Sequence, residues 1–153
     1  MDKPLEVSEV RRYRKALRQF QRLAGVQMRN CGCGVTLTQC LVLLDIDEHG
    51  HLTMGQLASI LKLDHSTLSR TVDSLVKNKL VARLRDESDR RLVWIRLTEQ
   101  GISLCEKIHQ GNDEYCLQVF ETIPATERAT VIRHFETLIQ AYLDYEVSIE
   151  EQE

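Results

Sequence analysis

The sequence predicts a mostly α-helical fold with one small β-hairpin. Three observations carry that expectation. Apolar residues recur at steps of three and four along six stretches of the chain. Most of those stretches open on a Thr or Asp suited to capping a helix. Only two short runs, "LVARLR" and "LVWIRL", are rich in β-formers, and they flank the polar segment "DESDRR" as the arms of a hairpin flank its turn.

Residues 5–29 place Val10, Tyr13, Leu17, Phe20 and Ala24 on one helical stripe, and the Gly-rich "CGCG" ends that helix. Thr36 or Thr38 caps a second helix through "QCLVLLDIDE", which Gly50 stops. Leu52 is a short extended piece. Thr53 then caps "MGQLASILK", and Asp64 caps "HSTLSRTVDSLVKNK". After the hairpin, Thr98 caps a fifth helix that reaches Thr122, with Pro124 as punctuation. The last helix runs from Ala125 to Val147, with Val131, Phe135, Leu138 and Tyr142 aligned. Helix, helix, helix, exposed polar helix, hairpin is the order of a winged helix-turn-helix. The whole reads as one domain over 1–153, with a winged core at 36–98 between long terminal helices at 5–30 and 99–147. Terminal helices with apolar stripes need a surface to cover them, and a homodimer is the economical source.

At 153 residues, 42% hydrophobic and 28% charged, the composition is that of an ordinary globular protein. No apolar run is long enough to span a bilayer, and "MDKPLEVSEVRRYRK" lacks the apolar centre of a secretory signal. Five cysteines, an odd number, then fit reduced thiols in a cytoplasmic protein. The net charge of −3 conceals an asymmetry. Residues 1–29 carry +5 and residues 62–91 carry +3, while residues 92–153 carry −8. Two basic segments on a mildly acidic chain point to a localised anionic partner. The basic first helix, with Arg11, Arg12, Arg14, Lys15 and Arg18, is expected to pair with the acidic C-terminal helix of a partner subunit.

In the fourth helix, Leu68, Val72, Leu75 and Val76 form the stripe to be buried. His65, Ser66, Thr67, Ser69, Arg70, Asp73 and Lys77 then point elsewhere. Short hydroxyls plus an Arg are chemistry suited to a DNA major groove, where hydroxyls meet phosphates or base edges and Arg reads guanine. Ala58 in the preceding helix is small enough to let the two helices cross closely. On the hairpin, Asp89 and Arg91 alternate onto one side, so their side chains can pair and hold Arg91 extended toward a narrow minor groove. Arg90 faces the other way, toward phosphate. Asp86 and Glu87 read as a solvated charged turn, and Trp94 as packing beneath the wing.

The stretch "LTMGQLASILKLDHSTLSRTVDSLVKNKLVARLRDESDRRLVWIRLTEQG" resembles the winged-helix core of the MarR family of bacterial transcriptional regulators over about residues 38–101. Its most specific parts are "DxxDRR", "LTxxG" and "STLSRTVDSLVKNKLV". The resemblance implies a homodimer on double-stranded, pseudo-palindromic operator DNA, with half-sites about one helical turn apart. It assigns Ser66, Thr67, Ser69 and Arg70 to the major groove, with Lys77 and Arg90 nearby, and Arg91, oriented by Asp89, to the minor groove. It also implies repression relieved by a signal.

Three cysteines crowd "NCGCGVTLTQC", and three readings of them compete. Cys31, Cys33 and Cys40 can converge on a soft metal or metalloid ion, with His109 as a fourth ligand, although the spacing is not that of a structural zinc knuckle. They can instead form a redox switch, in which a bridge between Cys31 and Cys40, or between subunits, is preferred to a strained Cys31–Cys33 loop. Or they fill core. Cys31, Cys33, Cys40 and Cys105 all fall near the region where the resemblance places the signal; Cys31 and Cys33, in a Gly-bracketed loop, favour sensing, while Cys105, like Cys116, favours structure. A small organic effector in the dimer would need no cysteine. No phosphate loop, nucleophile elbow or paired-carboxylate motif marks an enzyme. A winged helix used only for protein contacts is the remaining alternative.

Overall fold

The structure, a computed structural model, describes residues 4–29, 33–89 and 91–150. Its elements are α1 (Val7–Arg29), α2 (Leu37–His49), β1 (Leu52–Thr53), α3 (Met54–Leu61), α4 (His65–Lys77), β2 (Val81–Arg85), β3 (Val93–Leu97), α5 (Glu99–Glu121) and α6 (Ala125–Glu150). The chain divides into two compact units, Met1–Gly111 and Asn112–Glu153, with the boundary inside α5. The mostly α fold with a β-hairpin wing is the expected one.

Thr36, and not Thr38, caps α2. Its hydroxyl accepts from the Gln39 N–H while the Gln39 side chain accepts from the Thr36 N–H, a reciprocal box that satisfies two backbone donors at once. Thr53 and Gln56 repeat the device at α3. That helix ends at Lys62, whose φ of 51° turns the chain so that α4 can begin two residues later at the Asp64 cap.

The hairpin of β2 and β3 pairs Val81 with Leu97 and Arg85 with Val93. It is not a two-stranded wing alone. The short extended piece at Leu52 joins as β1, setting Leu52 opposite Ile95 and Thr53 opposite Trp94. A lone hairpin is marginal in water, and a third strand with one buried face gives it support. Beneath the sheet, Val42, Leu43 and Ile46 of α2, Leu57 of α3 and Leu68, Val72 and Leu75 of α4 meet Leu52, Val81, Ile95 and Cys105 in one core. The stripe expected on α4 is thus the buried one, with Val76 half-buried beside it.

The "LTxxG" segment fastens α5 to this core. The Thr98 hydroxyl donates to the Lys79 carbonyl at 2.6 Å and accepts from the Gly101 N–H at 3.1 Å, while the Thr98 N–H bonds the Leu80 carbonyl at 3.0 Å. A Cβ on Gly101 would stand 2.1 Å from the Leu80 oxygen, so only glycine admits this approach. Outside the core, α1 exposes Val7, Val10, Phe20 and Leu23. In the second unit α6 exposes Val131, Phe135 and Tyr142, the stripe the sequence predicts. Among the described residues no helix is long and apolar enough to cross a membrane.

Candidate nucleic-acid interface

With its apolar stripe in the core, α4 turns the residues at its N-terminal end outward. Ser66, Thr67 and Arg70 are exposed, as is Lys77 in the last turn, whereas Ser69 is half-buried on the helix flank. Asp64 does more than cap. Its Oδ1 accepts from the Thr67 N–H at 2.9 Å and from the Ser66 hydroxyl at 2.6 Å, and its Oδ2 accepts from the Thr67 hydroxyl at 2.7 Å. The bonds from the two hydroxyls and the Thr67 N–H hold the Asp64 carboxyl well below the usual carboxylate range.

Two contacts tie α4 to its surroundings. Asp73 and the Arg83 guanidinium of β2 meet at 2.6 Å, joining helix to wing. At this exposure such a pair fixes orientation more than it adds stability. On the opposite side, Gln39 Nε2 donates to the Ser74 hydroxyl at 3.0 Å, so the box that starts α2 also reaches α4.

The wing departs from its sequence reading in two respects. Asp89 holds Arg91 through the backbone: its Oδ1 accepts from the Arg91 N–H at 2.9 Å, and the expected bond to the guanidinium is replaced by an Asx turn that leaves the Arg91 side chain exposed. Asp86, expected to be a solvated turn residue, is the wing's organising group. Its Oδ1 accepts from the Ser88 N–H, the Ser88 hydroxyl and the Asp89 N–H, and its Oδ2 accepts from the Trp94 indole N–H at 2.9 Å. Led by the Ser88 hydroxyl and the indole, these donors hold its carboxyl far below the usual range. A depressed folded value means that this support is complete above the ordinary carboxylate pKa and is lost as pH falls toward the folded one. The wing is therefore intact at neutral pH. Trp94 also meets the His51 ring edge-to-face, with centroids 4.6 Å apart. Arg90 lies outside the described residues.

The cap expected at Asp64 is present, and the two hydroxyls it also holds are what the sequence reading lacks; Asp86 escapes that reading because a carboxylate looks like surface charge until its donors are located. Their signal was present in "DES" and "DHST", where a hydroxyl follows the Asp by two residues.

Set against known proteins, residues 35–93 match the MarR family model. A Bacillus subtilis HTH-type transcriptional regulator, YsmB, is 30% identical over 128 residues, covering 83% of this chain and 87% of its own. This chain belongs to the MarR family. A second Bacillus subtilis relative, the HTH-type transcriptional repressor MdtR, is 31% identical over 78 residues, 51% of this chain and 50% of its own. The solved structure of a MarR family protein from Bacillus stearothermophilus superimposes with a TM-score of 0.84 at 28% identity, over 92% of this chain and 99% of that one. Membership makes the chain a transcriptional regulator of a DNA-binding family and not an enzyme.

The cysteines of this MarR-family chain do not behave as one set. Cys40 and Cys105 are both buried free thiols. Cys105 Sγ lies 3.7 Å from the Leu43 carbonyl inside the core. Burial pushes Cys40 up, and burial, then Asp47 and Cys40, push Cys105 up to about 11. Burial thus disfavours the thiolate form of both. Cys40 is a free thiol here, whereas Cys33 carries a disulfide. His109 pairs with Asp47 at 3.0 Å, and among the described residues no three His, Cys, Asp or Glu groups converge to hold a metal ion. Cys31 lies outside the described residues. In the folded protein Cys40 and Cys105 are expected to resist iodoacetamide at neutral pH and to react once denaturant is added. Rapid native labelling of either, read by peptide mass, would contradict their assignment to the core.

Proposed function

We propose that the chain is a homodimeric repressor of pseudo-palindromic duplex DNA. It places Ser66, Thr67 and Arg70 of α4 in the major groove and Arg91 of the wing in the adjacent minor groove. Lys77, Asp89 and Arg90 serve the phosphate contacts and the shape of the wing, and half-buried Ser69 contributes at the helix edge. The observation that carries this reading is the joining of α4 to the wing through Asp73 and Arg83, which presents two outward cationic elements as one body. MdtR supports repression in particular. Apolar stripes left exposed on α1 and α6 support a homodimer. The test is titration of reduced protein against DNA from upstream of its own gene and against a scrambled duplex. Tight, salt-dependent binding to the first is expected, with Arg91→Ala losing roughly tenfold and flattening the salt slope. Equal affinity for both duplexes would defeat the proposal.

For the signal, the loop before α2 is the preferred entry. Gln39, in the first turn of α2, bonds both the Thr36 N–H and Ser74 of α4, and so offers a side chain through which a change ahead of α2 would reach the DNA-reading helix. The bridged state of Cys33 favours an oxidant over a soft metal or metalloid ion. Peroxide should release reduced protein from DNA, and Cys33→Ser should abolish the response. If neither peroxide nor thiophilic metals change affinity, a small organic effector replaces this reading.

A further inference from the structure

The recognition helix has a fixed hydrogen-bond polarity, and the residue that fixes it lies just outside the helix. Hydroxyls are ordinarily ambivalent, donating one bond and accepting up to two, so Ser and Thr in a groove carry little base preference of their own. Here both hydroxyl protons are committed. Ser66 donates to Asp64 Oδ1 at 2.6 Å and Thr67 donates to Asp64 Oδ2 at 2.7 Å, so one carboxylate serves both. Bonds to an ionised acceptor are about twice as strong as bonds to a neutral one. A neutral guanine O6 or thymine O4 is then the weaker competitor for either proton. Phosphate, though charged, would have to approach a carboxylate to take one.

We infer that Asp64 is a positioning residue for sequence recognition: it turns Ser66 and Thr67 into obligate acceptors that select an exocyclic amine, adenine N6 or cytosine N4, in the major groove. The inference rests on the reading that α4 enters that groove. Asp64 itself touches no base. It acts by removing one of the two ways in which each hydroxyl can bond, and so converts a permissive contact into a selective one.

The experiment uses the full chain and a duplex enriched by it from a random-sequence library. Adenines are replaced singly by purine, which lacks the N6 amine, and cytosines by 2-pyrimidinone, which lacks the N4 amine. Wild-type protein should lose roughly three- to tenfold at one or two positions in each half-site. Ser66→Ala and Thr67→Val should lose nothing further at the position each serves, which separates lost contact from weakened base pairing. Enrichment with Asp64→Ala should return guanine or thymine at those positions beside the original base. A shift of base identity is not what loss of a helix cap alone would produce. If amine removal is harmless at every position while the parent duplex binds tightly, the inference falls and the DNA reading stands. If Asp64→Ala folds and enriches the wild-type sequence unchanged, the inference also falls. If that variant does not fold, the analogue series on wild-type protein decides. Failure to enrich any duplex would remove both.

Discussion

Replacing Gly101 with alanine should destabilise the folded chain by roughly 3 kcal/mol, at the upper end of what overpacking costs. The methyl group would stand 2.1 Å from the Leu80 carbonyl oxygen and 3.2 Å from the Leu97 side chain. Unlike the end of a long side chain, a backbone carbonyl cannot swing aside. The same carbonyl accepts the Thr98 N–H, and the Thr98 hydroxyl bonds Lys79 and Leu80, so any retreat of Leu80 also loosens the start of α5. Helix propensity argues the other way, since alanine favours a helix over glycine by about 1 kcal/mol. Steric exclusion wins because an overlap of this depth exceeds that gain. Denaturant unfolding of both proteins checks the result, and equal midpoints would mean that α5 shifts freely against the turn after α4.

Asp86→Ala is expected to weaken duplex DNA binding about tenfold with the helical core intact, as for loss of a specific Arg contact. The substitution removes the acceptor shared by Ser88, Asp89 and Trp94. Asp89 in turn holds the Arg91 backbone, so the proposed minor-groove arginine loses its support without being changed. Asp86 is itself acidic, and a purely electrostatic view predicts tighter binding once it is removed; the sign of the effect therefore separates positioning from charge. Trp94 is the chain's only tryptophan, so its emission reports the wing directly. Emission should shift as the indole N–H loses its carboxylate, while far-ultraviolet circular dichroism stays unchanged. A shifted spectrum with affinity unchanged or improved would show that an ordered wing is not needed for binding.

The two substitutions also mark how far the sequence can be read. "LTxxG" was legible as a family signature, and the need for Gly101 is local once Leu80 is known to lie against it. That proximity spans 21 positions of chain and arises only when the hairpin folds back. Asp86 was legible as a charge and misjudged as a role. Its indole partner is eight residues away across the wing, and polarity alone does not say whether a carboxylate faces water or four donors. Asp89 and Arg91 were rightly paired, but through the wrong atoms, because alternation along a strand no longer holds where the chain turns.

The cysteines show the same division. A loop bracketed by glycines and a helix face bearing Cys40 stand close together in sequence, yet only packing separates them chemically. Cys40 is buried and burial raises its pKa, whereas Cys33 is bridged.

By itself the sequence determined the helices, their caps, the wing and the stripe that α4 buries. Each of these depends on periodicity or on a side chain bonding backbone within three or four residues, interactions that survive in a short stretch of chain. Tertiary structure decided that Asp86 meets the Trp94 indole, which thiols are buried, that Leu52 completes a third strand, and that Gly101 must lack a Cβ. Those outcomes depend on what stands across a gap from each side chain, and residues far apart in the chain become neighbours only when the core closes.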